Sequence, residues 1–147
     1  MLKRFLELWV MLIRTALILF LFIFWGSFSQ LSAQSDSDNV LENTRIAISS
    51  GATNELGELF HSNFELHILG KEYSKQQSSI ALKDFFKQNP PKEFSLIHKG
   101  SSEDQSLSYS IGQYQTSEKN YRVLLRFKNS TEGTELYKME FREIEAP

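Results

Sequence analysis

The chain has 147 residues, with 16 Lys and Arg against 18 Asp and Glu, a formal net charge of −2, and no cysteine. The missing cysteines exclude disulfides, thiolate chemistry and a lipid anchor on a processed N-terminal cysteine. A balanced charge with no Lys/Arg cluster interleaved with aromatics argues against nucleic-acid binding, and the length suits one domain with an N-terminal extension.

Lys3, Arg4 and Arg14 precede an apolar run from Ala16 to Trp25, and Gly26 to Gln34 is small and polar, ending Leu-Ser-Ala-Gln. A basic stretch, an apolar stretch of roughly 7–15 residues and a small-residue site make up a secretory signal peptide. Residues 1–34 are therefore expected to be such a peptide, cleaved after Ala33 or Gln34, with translation starting at Met1 or Met11. The protein is then expected in the periplasm or outside the cell. The alternative keeps residues 16–31 as an inner-membrane anchor, and only then is the membrane a partner. That run is short for the roughly 20 residues a span needs, and its second half is polar. Residues 35–39 are expected to be a flexible leader, and residues 40–147 the folded domain.

A first helix is expected over Val40–Ser49, with Asp36, Asp38 and Asn39 at its N-terminal end and Gly51 as the left-handed residue that ends it. Asn54 caps a short second helix, Glu55–Phe60, weakened by Gly57. Phe64-Glu65-Leu66-His67-Ile68 alternates as a strand. Ser74 and Gln77 have capping-box spacing for a third helix, which gathers Ala81, Leu82, Phe85 and Phe86 on one face and stops at Asn89-Pro90-Pro91. Glu93 to Ile144 then reads as four strands separated by polar turns. In the first, Phe94, Leu96 and His98 share a face; in the second, Leu107, Tyr109 and Ile111. The third sets Tyr121, Val123, Leu125 and Phe127 against Arg122, Arg126 and Lys128, with Leu124 the apolar exception. The last sets Tyr137, Met139 and Phe141 against Lys138, Glu140 and Arg142. Period-two alternation of this kind predicts an antiparallel sheet with one face buried under the helices, an α+β arrangement of three helices on about five strands.

The element order resembles the nuclear-transport-factor-2-like, or cystatin-like, fold, a curved sheet wrapped around helices into a cone. Ala47-Ile48-Ser49-Ser50-Gly51, Leu59 to Leu66, Tyr73-Ser74-Lys75, Leu82-Lys83-Asp84-Phe85-Phe86, Asn89-Pro90-Pro91 and Ile97 to Ser102 are similar to an exported bacterial family, domain of unknown function 4783, seen mainly in Bacteroidota. The likeness covers Val40 to Ile144 and implies fold and export, but no activity, because the family brings no catalytic residues to carry over.

Chemistry is sparse. GxSxG, phosphate-loop, GxGxxG and HExxH motifs are all missing. Three scattered histidines without cysteine do not predict a metal site, and no cofactor is expected. Glu65 and His67 point the same way on their strand, opposite its apolar face, which reads as a solvated pair. The expected pocket is the cone interior, walled by Phe85, Phe86, Phe94, Leu96, Tyr109 and Tyr137, with His98 fixing orientation. Arg122, Leu124, Arg126, Lys138 and Arg142 form a sheet face suited to a homodimer. The leading reading is a non-catalytic module that binds a small apolar ligand or a protein partner. One alternative is an isomerase- or dehydratase-like enzyme with His98 as base, which requires an acid or tyrosine within reach of it. The other is a purely structural sheet-face dimer with a filled cone.

Overall fold

Two turns and a helix stop set the framework. The structure, a computed structural model, describes residues 31–145, so the basic and apolar segments of the expected signal peptide lie outside the described residues. The elements are α1 (Leu31–Ser50), α2 (Thr53–Glu58), β1 (Phe60–Ile68), β2 (Lys71–Ser74), α3 (Lys75–Gln88), β3 (Glu93–Ser101), β4 (Leu107–Gln115), β5 (Asn120–Ser130) and β6 (Gly133–Ile144). Among the described residues no helix is long and apolar enough to cross a membrane.

Gly51 ends α1 as expected, at φ +66. The amide of Ala52 reaches the carbonyl of Ala47 (2.8 Å) and that of Gly51 reaches Ile48 (3.2 Å), the paired bonds of a Schellman ending. The helix starts earlier than Val40. Residues 35–39, expected as a flexible leader, are helical: Asp36 Oδ2 accepts the amide of Thr134 at 2.8 Å, and Asp38 meets Lys99 Nζ at 3.1 Å. Those partners lie far along the chain and leave no local trace. Phe60, expected to end the second helix, instead opens β1, where its ring stacks on Phe64 with centroids 3.7 Å apart.

The α+β class holds, with two corrections to the sheet. It has six strands rather than about five, in the order β2-β1-β6-β5-β4-β3. Strand β2 forms a hairpin with β1 through Leu69 (φ 52) and Gly70 (φ 82), both left-handed, as a two-residue hairpin turn requires. With Tyr73 its one apolar residue, β2 shows no alternation to detect. Strand β6 runs parallel to β1 and antiparallel to β5, so the sheet is not antiparallel throughout. Alternation reports which face is buried, not the direction of the neighbour.

Helix α3 keeps its capping box, with the Ser74 amide donating to Gln77 Oε1 at 3.2 Å, and it buries Ser78, Leu82, Phe85 and Phe86. Ile80 stays 68% exposed. The sheet answers with Tyr114, Tyr121, Val123, Leu125, Leu136, Met139 and Phe141, all buried. The Phe85 ring lies 4.7 Å from Phe141, 5.2 Å from Tyr121 and 5.9 Å from Tyr114, at tilted or edge-on angles that favour aromatic packing. At the end of α3, the Tyr114 hydroxyl donates to the Asn89 carbonyl (2.5 Å) and the Tyr121 hydroxyl to Asn89 Oδ1 (2.7 Å). Burial, helped by neighbouring Tyr121, pushes the Tyr114 hydroxyl well above its ordinary pKa, and burial also raises that of Tyr121.

Candidate functional site: the outer face of the sheet

The face of the sheet turned away from the buried core carries the unusual features, and β4 is the first of them. Its register pairs Gly112 with Val123, Ser110 with Leu125 and Ser108 with Phe127. Since Val123, Leu125 and Phe127 are buried, β4 turns its small and polar residues inward. Leu107, Tyr109 and Ile111 pair with Lys128, Arg126 and Leu124, on the outer face. The strand is inverted relative to its own hydrophobicity. Gly112 shows why: a Cβ there would stand 2.5 Å from the Phe94 ring, which occupies the space a larger inward side chain would need. Ser110 Oγ is buried and finds no hydrogen-bond partner.

Two β-bulges complete the face. In β3 the register runs Leu96 to Gly112 and then His98 to Ile111, so Ile97 is the extra residue. It stands 62% exposed, and His98 moves from the face of Phe94 and Leu96 to the outer one. In β6 the register runs from Leu136 with Phe127 to Lys138 with Arg126, so Tyr137 is extra and Leu136 takes its expected place in the core.

The seven residues expected to share a pocket are therefore not brought together. Phe85, Phe86 and Phe94 are core residues, and Leu96 is half-buried against them. His98, Tyr109 and Tyr137 lie outside the core. The Tyr109 ring crosses Gly100, where an added Cβ would meet it at 2.7 Å, and its hydroxyl reaches His98 Nε2 at 3.2 Å. His98 thus has its tyrosine, but the pair is open to water and pairs with no carboxylate among the described residues.

An open hollow of about 430 Å³ lies on this face, floored by Leu107, Tyr109, Ile111, Leu124 and Tyr137 and rimmed by Arg126 and the Ser101–Ser102 turn. A second, of about 370 Å³, lies at the β3 edge between Leu41 and Glu42 of α1 and the segment Leu96–Lys99. The five residues expected at an interface do share the outer face. Arg122 stands opposite Arg142 and Arg126 opposite Lys138, with Leu124 opposite Glu140. Arg142 pairs with Glu140, and Lys138 Nζ lies 3.6 Å from Glu65 Oε2. Neither Arg122 nor Arg126 forms an ion pair among the described residues. Like charges directly opposite on a sheet are destabilising, so these rows cost the fold something.

Beyond β6, the outer face of the β1–β2 hairpin gathers Glu65, His67 and Glu72. His67 pairs with Glu72 across the hairpin, and the three can set ligand atoms within 4.8 Å of one another. Glu65 and His67 were legible as a pair in sequence. Glu72 was not, because its strand gives no alternating signal.

A family model described as "Domain of unknown function (DUF4783)" matches residues 41–142. A DUF4783 family protein from Bacteroides ovatus superposes with a TM-score of 0.64 at 23% identity, covering 71% of this chain and 94% of that one. One from Bacteroides uniformis gives 0.64 at 20%, covering 71% and 97%. A protein from Caulobacter vibrioides described as having a cystatin-like fold gives 0.60 at 11%, covering 77% and 90%. At such identities the likeness carries the fold alone. No curated protein matches the chain.

Proposed function

The chain belongs to the DUF4783 family, and from that premise and the inverted strand β4 we propose that the protein is a non-catalytic binding module whose outer sheet face docks a protein partner. The carrying observation is that β4 turns Leu107, Tyr109 and Ile111 outward while Ser108, Ser110 and Gly112 face the core. Leu107 alone is 44% exposed. A strand that gives its apolar side to solvent forgoes burial worth about 25 cal/mol per Å² unless a partner covers it.

Three arguments narrow the occupant. The interior is packed with aromatic rings, so an apolar ligand has its place on the outer face and not inside the fold. A hollow of about 430 Å³ is large enough for a small molecule, but it opens along the sheet surface, whereas small-molecule sites bury about 70–90% of their ligand. The cationic rows flanking Leu124 favour a partner with carboxylates around an apolar side chain. In a homodimer with its two-fold axis at Leu124, the Arg122 and Arg126 rows of the two copies would face one another, which counts against that alternative. The isomerase or dehydratase alternative has Tyr109 beside His98 but no water-excluding cavity around the pair. With the export expected from the N-terminal segment, the partner is met in the periplasm or outside the cell.

The test is a photocrosslinking residue at Leu124 in the native cell, with the exposed helix residue Ile80 as control. The expected result is a crosslink to a different polypeptide from position 124 only, removed by Arg126→Glu. Crosslinks only to a second copy, or equal crosslinking from Ile80, would overturn the reading.

A further inference from the structure

We propose that Glu65, His67 and Glu72 form a binding site for a divalent first-row transition ion, of which zinc is the representative, on the outer face of the β1–β2 hairpin. The three residues place one imidazole nitrogen and two carboxylate oxygens within 4.8 Å of one another. Closing on an ion with bonds of about 2.0–2.2 Å brings tetrahedral ligand atoms to about 3.3 Å separation. Both glutamates are exposed, so they make that move by side-chain rotation without shifting the backbone.

The hairpin supplies the preorganisation. Glu65 and His67 are two residues apart on β1 and point the same way, while the cross-strand register sets Glu72 directly beside His67. The left-handed Leu69-Gly70 turn fixes that register. An independent observation also points to a ligand. His67 Nε2 is shut off from solvent and makes no hydrogen bond, in a side chain that is 23% exposed; Glu65 Oε2 stands 3.9 Å away, and Glu140 is the register neighbour of His67 on β6. A ring nitrogen shut off from water without a partner is unfavourable, and a cation drawn in by the carboxylates gives it one.

The donor set decides the class of ion. One imidazole with two carboxylates suits zinc, manganese or cobalt and lacks the thiolate or thioether that selects the soft copper(I) ion. With three protein ligands the fourth position goes to water, as in an open site. The competitor is also present: Lys138 Nζ lies 3.6 Å from Glu65 Oε2 and must release it when the ion binds.

The test is calorimetric titration of the full-length protein with zinc chloride, with cobalt(II) followed by its visible absorption. The expected result is saturable uptake of a single ion. Glu72→Gln and His67→Gln should each weaken binding by about tenfold or more, and Lys138→Met should strengthen it several-fold. Glu72 lies on an exposed edge strand, so its variant keeps the fold even if His67→Gln does not; far-UV circular dichroism confirms this. No saturable uptake, or uptake that Glu72→Gln leaves unchanged, would overturn the site.

Discussion

Half-buried Asn89 and buried Ser110 show how differently two polar positions are handled. The Asn89 amide and side chain close the last turn of α3 on the Phe85 carbonyl, while its oxygens take the hydroxyls of two core tyrosines. Ser110 is left without a partner. Ser110→Ala should therefore raise stability by about 1 kcal/mol in urea denaturation, since it removes an unsatisfied group. Its neighbour gives the opposite sign: Gly112→Ala drives a methyl into the Phe94 ring and should cost about 1–3 kcal/mol. Tyr114 predicts a pH dependence. Its folded pKa is raised above the unfolded value of 10.0, so its contribution is complete below that pH and declines as the solution becomes more alkaline. Alkaline denaturation monitored by tyrosinate absorbance should steepen above pH 10, and Tyr114→Phe should flatten it. Asn89-Pro90-Pro91 was legible as a helix stop because proline acts locally. Its service to tyrosines 25 and 32 residues away was not, because nothing nearby in the chain encodes it.

At the scale of elements, burial by strand face was readable where local periodicity is unbroken. Strand β5 has Tyr121, Val123, Leu125 and Phe127 buried and its cations outside, as alternation predicts. Strands β3 and β6 each carry one extra residue, which reverses every assignment on one side of it. That is why His98 and Tyr137 leave the face their neighbours suggest. Strand β4 fails for another reason: it is assigned by assuming that its more apolar side is the inner one, and here it is not. Of the candidate site, the shared outer face of Arg122, Leu124, Arg126, Lys138 and Arg142 was thus legible, and the separation of the seven expected pocket residues was not. Adjacent leucines of β5 make the distinction measurable. Leu125→Ala should cost about 2–5 kcal/mol in denaturant titration, whereas Leu124→Ala should change stability by about 0.5 kcal/mol or less. Equal losses would mean that the outer face belongs to the core.

The whole sheet is two pieces joined by one strand. Strands β3, β4 and β5 form a meander of sequential neighbours, and β1 with β2 forms a hairpin; β6 lies between these sets. It brings Leu136, Met139 and Phe141 to the core and pairs with β5 on one side and β1 on the other. A chain ending at Ser130 should therefore lose the cooperative melting transition outright, a loss larger than any single core substitution; a calorimetric trace with one full transition would refute this. A chain is made from its N-terminus at about 5–20 residues per second. The hairpin and the meander must then wait for β6, which is made after both, before the sheet can close. Until then each presents an unpaired edge, one on β1 and one on β5, of equal appeal to a stranger. The order of synthesis, and not the strength of any contact, sets the interval in which this protein is most exposed to misassembly.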